Sequence, residues 1–393
     1  VSDRGRLSGR RRADTLAPRG ALGRVAPLLG LGTFDAGPGR ALLEATEALG
    51  FSRAVAREGL AAEVQAWRDR AALGRALARA AEALGAPLSA PELVHRLPRE
   101  VLIVAARTLP ASTMREVFWA RLLGARVRIK PARDQEAVAA AMAAADPEAL
   151  AVTPFAGGDD AALDAAVAGA DAVVVLGGDD TVAAVRARVP RDRAFLGYGH
   201  RVSAAWWAGG ELGDGAGVDE ALEGLARDLC AWDQSGCLSP QVLWVEGAEA
   251  LGGHEGVAAR LAEALRGVEG ALPMTLPAGA ARARRVATTL GHMQGRVWET
   301  ETAVVVALPS GAFRPSPGYR LLWVLPADPV ALQATAPILS SVACVGASVG
   351  PAEALPPLPP SVRVCAPGEL QRPPLDWAHD GLDPVAGYLR PDT

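Results

Sequence analysis

A cysteine stands in the turn-like stretch AWDQSGCLSPQ, residues 231–241. Cys237 follows a helix-like segment, VDEALEGLARDL, and precedes an apolar run, VLWV. A turn rich in Ser, Gly and Gln presents backbone N–H groups, which lower a thiol pKa and cradle an oxyanion. A thiol so placed is a good acyl carrier. The plain alternative is a small buried filler, the commonest use of an arbitrary cysteine. Cys230 on the helix-like segment, and Cys344 and Cys365 in strand-like runs, read as core thiols.

Other residues capable of chemistry lie upstream. Lys130 ends a strand-like run in RVRIKPARD and is a lysine in an arginine-rich chain. Its ammonium could donate to a cofactor ribose, and Arg133 could meet an additional phosphate bidentately. A solvated strand end is the bland reading of the same residues. Two strand-to-helix joints read Gly-Gly-Asp-Asp, at 157–160 and 177–180. Glycines there allow a tight turn or close ligand approach, and aspartate suits a helix N-terminus. The chain holds no GxGxxG, so the joints alone read as turns. His200 follows a Gly-x-Gly turn in FLGYGHRVSAAWW, where a structural and a catalytic histidine are equally plausible.

Elements must hold these residues. Residues 40–85 are helical in pattern: EVQAWRDRAALGRALARAAEALG spaces apolar residues by three and four and ends on glycine. From about residue 98 the pattern alternates. VLIVAA (101–106) reads as a buried strand, STMREVFWARLLG (112–124) as an amphipathic helix, and ARVRIKP (125–131) as a strand. DQEAVAAAMAAA, DDAALDAAVAGA and DDTVAAVRARV read as helices around the strands ALAVTPF and DAVVVLGG. Such β-α-β alternation with short links implies a parallel sheet covered by helices. It resumes after Cys237, with strands at QVLWVE, TETAVVVALP, YRLLWVLP, SVACVGA and VRVCAP, and helices at HEGVAARLAEALRGV and DPVALQATAPIL. PAEALPPLPPS (351–361) is a proline-rich link, and the tail beyond it is irregular. The reading is two α/β domains that meet at or just before Cys237, where clefts form.

The chain has 393 residues, half of them apolar, which fits two globular domains. A net charge of −4 gives no reason to expect nucleic acid. No apolar run is long enough to span a bilayer, so no membrane span is expected. The N-terminal VSDRGRLSGRRRADTLAPRG is basic but has no apolar core after it, and reads as a solvated arm rather than a signal peptide. Four scattered cysteines, with no CxxC and no Cys/His cluster, argue against structural zinc and point to reduced thiols in a cytoplasmic setting. No metal is expected.

In order along the chain, these segments resemble the aldehyde dehydrogenase superfamily. They look most like its acyl-CoA reductase branch, the LuxC family of fatty acyl reductases. RVRIKPARD resembles the strand-end Lys-Pro segment that holds the adenosine ribose, and VVVLGGDDTVAAVRARV the segment beside the pyrophosphate and nicotinamide. FLGYGHRVSAAWW and the tail QRPPLDWAHDG are also similar, and DQSGCLSPQ resembles the nucleophile motif, with Cys237 at the cysteine. The likeness runs from about residue 98 to the C-terminus; residues 1–97 share only helical character.

The resemblance implies an α/β, aldehyde-dehydrogenase-like fold in four parts. An N-terminal helical region (1–97) would pack on a Rossmann-type nicotinamide-cofactor domain (98–232). A catalytic domain (233–355) would carry Cys237, and a tail (356–393) would return to the core. The active site would lie in the cleft between the two domains. The implied activity is an NADPH-dependent reduction of an acyl-CoA or acyl-protein thioester to a long-chain aldehyde, through an acyl thioester on Cys237. Lys130, Arg133, Gly177, Gly178 and Asp179 would bind NADP. An acyl-activating ligase or acyltransferase, and further copies of the chain in a homo-oligomer, are the implied partners. Two departures stand out. The family's water-activating glutamate has no counterpart in GYGHRVS, which fits a reductase and leaves His200 as an acid–base candidate. The oxyanion asparagine is also missing from AARTLPAS, where Arg107 and Thr108 stand and Thr108 is the remaining side-chain donor. Two other readings stay open: an NAD(P)-dependent aldehyde or CoA-acylating dehydrogenase working in the oxidative direction, and a non-catalytic binding subunit of the same fold.

Overall fold

The structure, a computed structural model, describes residues 18–208, 216–345 and 355–391. The basic arm at 1–17 and the start of the proline-rich link, 351–354, lie outside the described residues. The chain divides into two compact units. The first comprises described residues up to 49, then 60–200 and 374–391; the second comprises 50–59 and the described residues of 201–373.

The first unit opens with helices α1 (Pro18–Val25), α2 (Gly37–Ala48), α3 (Arg53–Ala66, its residues through Gly59 counting with the second unit) and α4 (Arg70–Ala83). There follow β1 (Glu100–Val104), α5 (Pro110–Leu122), β2 (Arg126–Lys130), α6 (Glu136–Ala145), β3 (Leu150–Val152), α7 (Asp160–Ala168), β4 (Ala172–Leu176), α8 (Asp179–Arg186) and β5 (Ala194–Tyr198). The strands are all parallel, in the order β3-β2-β1-β4-β5. Val101 to Ile103 and Val173 to Val175 are buried on both faces, which is why these strands read as unbroken apolar runs. The chain steps outward from β1 through β2 to β3, then returns to β4 on the other side of β1. That reversal places the loops leaving β1 and β4 side by side, the position where open α/β sheets bind ligands.

The expectation of an amphipathic α5 is corrected by the structure. Thr113 through Leu122 are all buried. The helix tolerates this because its charged residues are paired: Arg115 with Glu63 at 2.9 Å and Arg121 with Asp146 at 2.8 Å, while Glu116 accepts from the Tyr388 hydroxyl at 2.6 Å.

The second unit contains β6 (Val202–Trp207), α9 (Ala216–Cys230), β7 (Pro240–Val245), α10 (Gly253–Glu269), α11 (Ala278–Gln294), β8 (Arg296–Glu299), β9 (Val304–Ala307), β10 (Leu321–Pro326), α12 (Pro329–Thr335), β11 (Leu339–Val345) and β12 (Arg363–Cys365). They form a sheet in the order β12-β11-β6-β7-β10-β9-β8, parallel except for β8 against β9. Alternate residues serve its two faces. Leu243, Val305 and Val324 pack under α9 and α10, while Trp206, Trp244 and Trp323 build the core of the opposite face.

The sequence reading places a domain boundary at 232/233, and the two compact units part between His200 and Arg201. The reason is β6, a strand not read from the sequence, which pairs with β7 and β11 and carries the following α9 into the second unit. The tail also divides, through Pro373 with the second unit and from Pro374 with the first. Helix α11 was likewise not read. Its sequence is rich in arginine and buries only Ala287 and Gly291, so it has no apolar stripe to recognise.

Candidate active site

Cys237 is half-buried at the middle of a five-residue loop, 235–239, between Gln234 and β7. The loop is pinched at its base: Gln234 Nε2 donates to Pro240 O at 2.8 Å. Within it, Ser239 N donates to Gly236 O at 3.0 Å and Gly236 N to Ser239 Oγ at 3.3 Å. Ser203 of β6, fully buried, donates from Oγ to Cys237 O at 2.8 Å. Gln371 Nε2 reaches Ser239 Oγ at 3.0 Å. The peptide groups around the thiol are thus held by side chains. The other cysteines lie differently. Burial pushes the Cys230 and Cys344 thiols up to about 11 and Cys365 to about 12, so little thiolate forms on them near neutral pH. No cysteine is in a disulfide among the described residues.

The chain reaches this loop through a feature the sequence analysis missed. Trp232, Asp233 and Gln234 have φ of 51°, 50° and 59°, three consecutive left-handed residues. For L-residues this costs roughly 1–2 kcal/mol each. Tyr319 and Arg320, just before β10, are also left-handed, with φ of 55° and 62°. The two stretches are joined. Arg320 donates to Asp233 Oδ1 from Nε at 3.1 Å and from Nη2 at 2.5 Å. It also donates from Nη1 to Thr302 Oγ1 at 2.9 Å, and from Nη2 to Cys230 O at 3.4 Å, at the end of α9. A cation at a helix C-terminus is favourable. Gln234 completes the join: Oε1 accepts from Leu321 N at 2.8 Å and Nε2 donates to Leu321 O at 2.7 Å. Arg320 has no exposed surface and Asp233 is 4% exposed. Burial pushes the Asp233 carboxyl up, and the Arg320 charge and hydrogen bond oppose that push.

The cofactor candidates gather on the first unit. Lys130, Val104 and Val175 lie in one register row across β2, β1 and β4. Lys130, the loop carrying Arg107 and Thr108, and Gly177–Gly178 therefore share the C-terminal edge of the sheet. Lys130 is the only lysine in the sequence; all the other basic Lys and Arg residues are arginine. It is half-buried, its ammonium 5.4 Å from the Phe155 ring centroid, and burial lowers its pKa against the pull of Glu136. Arg133 is exposed in the loop beyond β2, and Thr108 is exposed beyond β1. Asp179 Oδ1 accepts from His200 N at 2.8 Å, which brings His200 to the same edge. Cys237 belongs to the other unit.

The two Gly-Gly-Asp-Asp joints do different work. In the first, Gly158 has a φ of 89° and Asp159 caps α7, accepting from Ala162 N at 3.0 Å. In the second the register slips by one. Gly178 is the cap residue of α8 with an ordinary φ of −71°, and a Cβ there would have no atom within 4 Å. The backbone does not require glycine at 178, and the space before it is open.

Solved structures of aldehyde dehydrogenases share this fold. The AldA indole-3-acetaldehyde dehydrogenase of P. syringae, a mutant with NAD+ and IAA, superposes with a TM-score of 0.62 at 14% identity, over 91% of this chain and 81% of that one. A NAD-dependent benzaldehyde dehydrogenase from Corynebacterium glutamicum gives 0.62 at 14% identity, over 93% and 86%. An NADP-dependent glyceraldehyde-3-phosphate dehydrogenase from Bacillus halodurans C-125, complexed with NADP, gives 0.60 at 12% identity, over 90% and 80%. The fold class is that of the aldehyde dehydrogenases. Residues 126–390 match the acyl-CoA reductase (LuxC) family, and the chain belongs to it. No match is found among curated proteins. Family and fold together define an aldehyde-acting oxidoreductase. Among the described residues no helix is long and apolar enough to cross a membrane, and no group of His, Cys, Asp and Glu could hold a metal ion.

Proposed function

We propose that this chain reduces a long-chain acyl thioester to the aldehyde through an acyl group carried on Cys237, with NADPH as reductant. The observation that carries the reading is the half-buried Cys237 at the middle of a side-chain-clamped loop, in a member of the acyl-CoA reductase family, while burial makes the other three thiols poor nucleophiles.

The Cys237 thiolate attacks the acyl carbonyl carbon. A C–S bond to Cys237 forms, the donor's C–S bond breaks, and the donor leaves as a thiol with the proton Cys237 gave up. The backbone N–H of Cys237 would receive the oxyanion, with the Thr108 hydroxyl as the proposed side-chain donor. When bound, the reduced nicotinamide supplies a hydride to the thioester carbon. The resulting thiohemiacetal alkoxide collapses by breaking its C–S bond, releasing aldehyde and restoring the Cys237 thiolate. His200 is the proposed group that moves the proton between thiol and leaving thiol.

The edge of the five-stranded sheet fits a dinucleotide. It lies at the topological switch point, has open space before Gly178, and carries the lone Lys130 at the end of β2. Lys130 would hold a ribose hydroxyl. Arg133, exposed beyond it, would meet the phosphate that distinguishes NADP from NAD, a planar guanidinium being suited to bidentate phosphate recognition. Gly177, Gly178 and the backbone beside Asp179 would admit the cofactor closely.

The test is intact-protein mass spectrometry after mixing with dodecanoyl-CoA and then adding NADPH. The expected result is an acyl mass mapped to Cys237 that disappears with NADPH as aldehyde is released. Absence of the adduct with acyl-CoA and with acyl-protein donors, or an adduct that persists in Cys237→Ala, overturns the reading.

A further inference from the structure

We infer that Arg320 and Gln234 are positioning residues for the acylation step, setting the orientation of the Cys237 loop without touching substrate. The inference rests on the reading of Cys237 as the acyl carrier and deepens it.

The loop that carries Cys237 has two ends, and one pair of residues controls both. Gln234 is its last residue before the loop, and Pro240 its first residue after. The Gln234 amide nitrogen joins them directly and also binds Leu321 O, while its amide oxygen takes Leu321 N. The loop base is therefore registered onto the first residue of β10. Arg320, the neighbour of Leu321, fixes the residue before Gln234 through Asp233. The same guanidinium reaches Thr302, whose hydroxyl in turn donates to Glu269 Oε2 at 2.8 Å, and the last carbonyl of α9 at Cys230. One buried cation thus ties the end of α9, the left-handed turn and the start of β10 into a single arrangement.

A left-handed run of three L-residues does not persist unless its surroundings over-determine it, and such runs belong where strain serves a site. Here the over-determination comes from Arg320 and Gln234. Loosening either lets Trp232 to Gln234 relax toward ordinary φ. That rotates the peptide planes leading into the loop, and with them the Cys237 N–H proposed to meet the oxyanion. That hydrogen bond forms only as negative charge develops on the acyl oxygen, so misaligning it slows acylation without weakening substrate binding.

The experiment measures acylation of Cys237 by dodecanoyl-CoA in the full chain, by rapid quench and intact mass, for Arg320→Met, Arg320→Lys and Gln234→Met. Gln234→Met keeps the volume, removes the three hydrogen bonds and leaves the buried ion pair in place. The expected result is a rate constant at saturating acyl-CoA reduced tenfold or more in Gln234→Met, with the half-saturating concentration within twofold of the parent. Arg320→Lys, which keeps the charge but not the fork, recovers part of what Arg320→Met loses. Rates within twofold of the parent in folded Gln234→Met and Arg320→Lys overturn the positioning role, as does an effect confined to half-saturation. If Arg320→Met does not fold, those two variants decide the question alone. Absence of an acyl mass on the parent chain overturns the acyl-carrier reading instead, which separates the two failures.

Discussion

Arg320 Nη2 lies 2.5 Å from Asp233 Oδ1, and both residues are left-handed, at φ of 62° and 50°. Two strained backbone stretches therefore hold each other through a buried ion pair, next to the loop of the reactive cysteine. An ion pair in this setting gains little over an apolar pair but makes loss of one partner severe.

Asp233→Ala leaves the Arg320 guanidinium buried with its strongest partner gone, and is expected to destabilise the protein by about 3–5 kcal/mol. Asp233→Ala combined with Arg320→Met is expected to recover part of that loss. A double-mutant cycle in urea, followed by tryptophan fluorescence, measures the coupling.

Gly59 is expected to be intolerant of any side chain. A Cβ there would lie 2.2 Å from Trp232 Cε2 and Cζ2, and the indole is fixed by an edge-on contact with Phe51 at 5.3 Å. Gly59→Ala forces Trp232 to move, at a cost of about 1–3 kcal/mol for overpacking. Because Trp232 begins the left-handed turn, acylation of Cys237 is expected to slow as well. Thermal unfolding together with the acylation rate checks both effects.

Lys130 and Gly178 separate ligand effects from fold effects. Lys130→Met is expected to weaken NADPH binding on the order of tenfold, about 1.4 kcal/mol. As the only lysine in the sequence, Lys130 can be followed by an amine-selective reagent, and NADPH is expected to protect it. Gly178→Ala meets no neighbouring atom, so its unfolding midpoint is expected to match the parent while its NADPH affinity falls. A variant that binds NADPH normally would remove Gly178 from the cofactor site. Fluorescence titration reads each of these outcomes.

The contribution of Glu116 to stability is expected to fall as pH rises from about 4.5 to about 7. Burial raises the Glu116 carboxyl from 4.5 to about 7, against the hydrogen bond from Tyr388 and the charge of Arg115. Across that window Glu116 holds its proton more in the folded chain than in the unfolded one, so its contribution to stability is present below the unfolded value and lost through the folded one. Glu116→Gln is expected to flatten the slope by at most about 3 kcal/mol. Asp228, raised by burial to about 7 in the other unit, acts in the same sense, so Asp228→Asn removes a further part. Urea midpoints measured across this pH range check the sign.

Much of the fold was legible because parallel strands buried on both faces leave unbroken apolar runs. VLIV of β1 and AVVVL of β4 show themselves this way. Strand β6 was missed because VSAAWW follows a glycine turn with no helix between it and β5, outside the β-α rhythm. Helix α5 was recognised, but its Arg115, Glu116 and Arg121 suggested a wet face. Their partners Glu63, Tyr388 and Asp146 are distant in sequence, so burial of that face could not be read locally.

For the candidate site the division is sharper. The sequence by itself determined which residue types are available: one cysteine in a small polar turn, one lysine at a strand end, and two glycine joints. Only the tertiary structure decided that Asp159 caps the helix after the joint at 157–160, while Gly178 is the cap residue after the joint at 177–180. It alone revealed that Asp233 and Gln234 are left-handed and answer to Arg320 and Leu321. Residue type and local spacing are properties of the chain. Asp233, at positive φ, is paired with a guanidinium 87 positions away, a partner that no local propensity encodes.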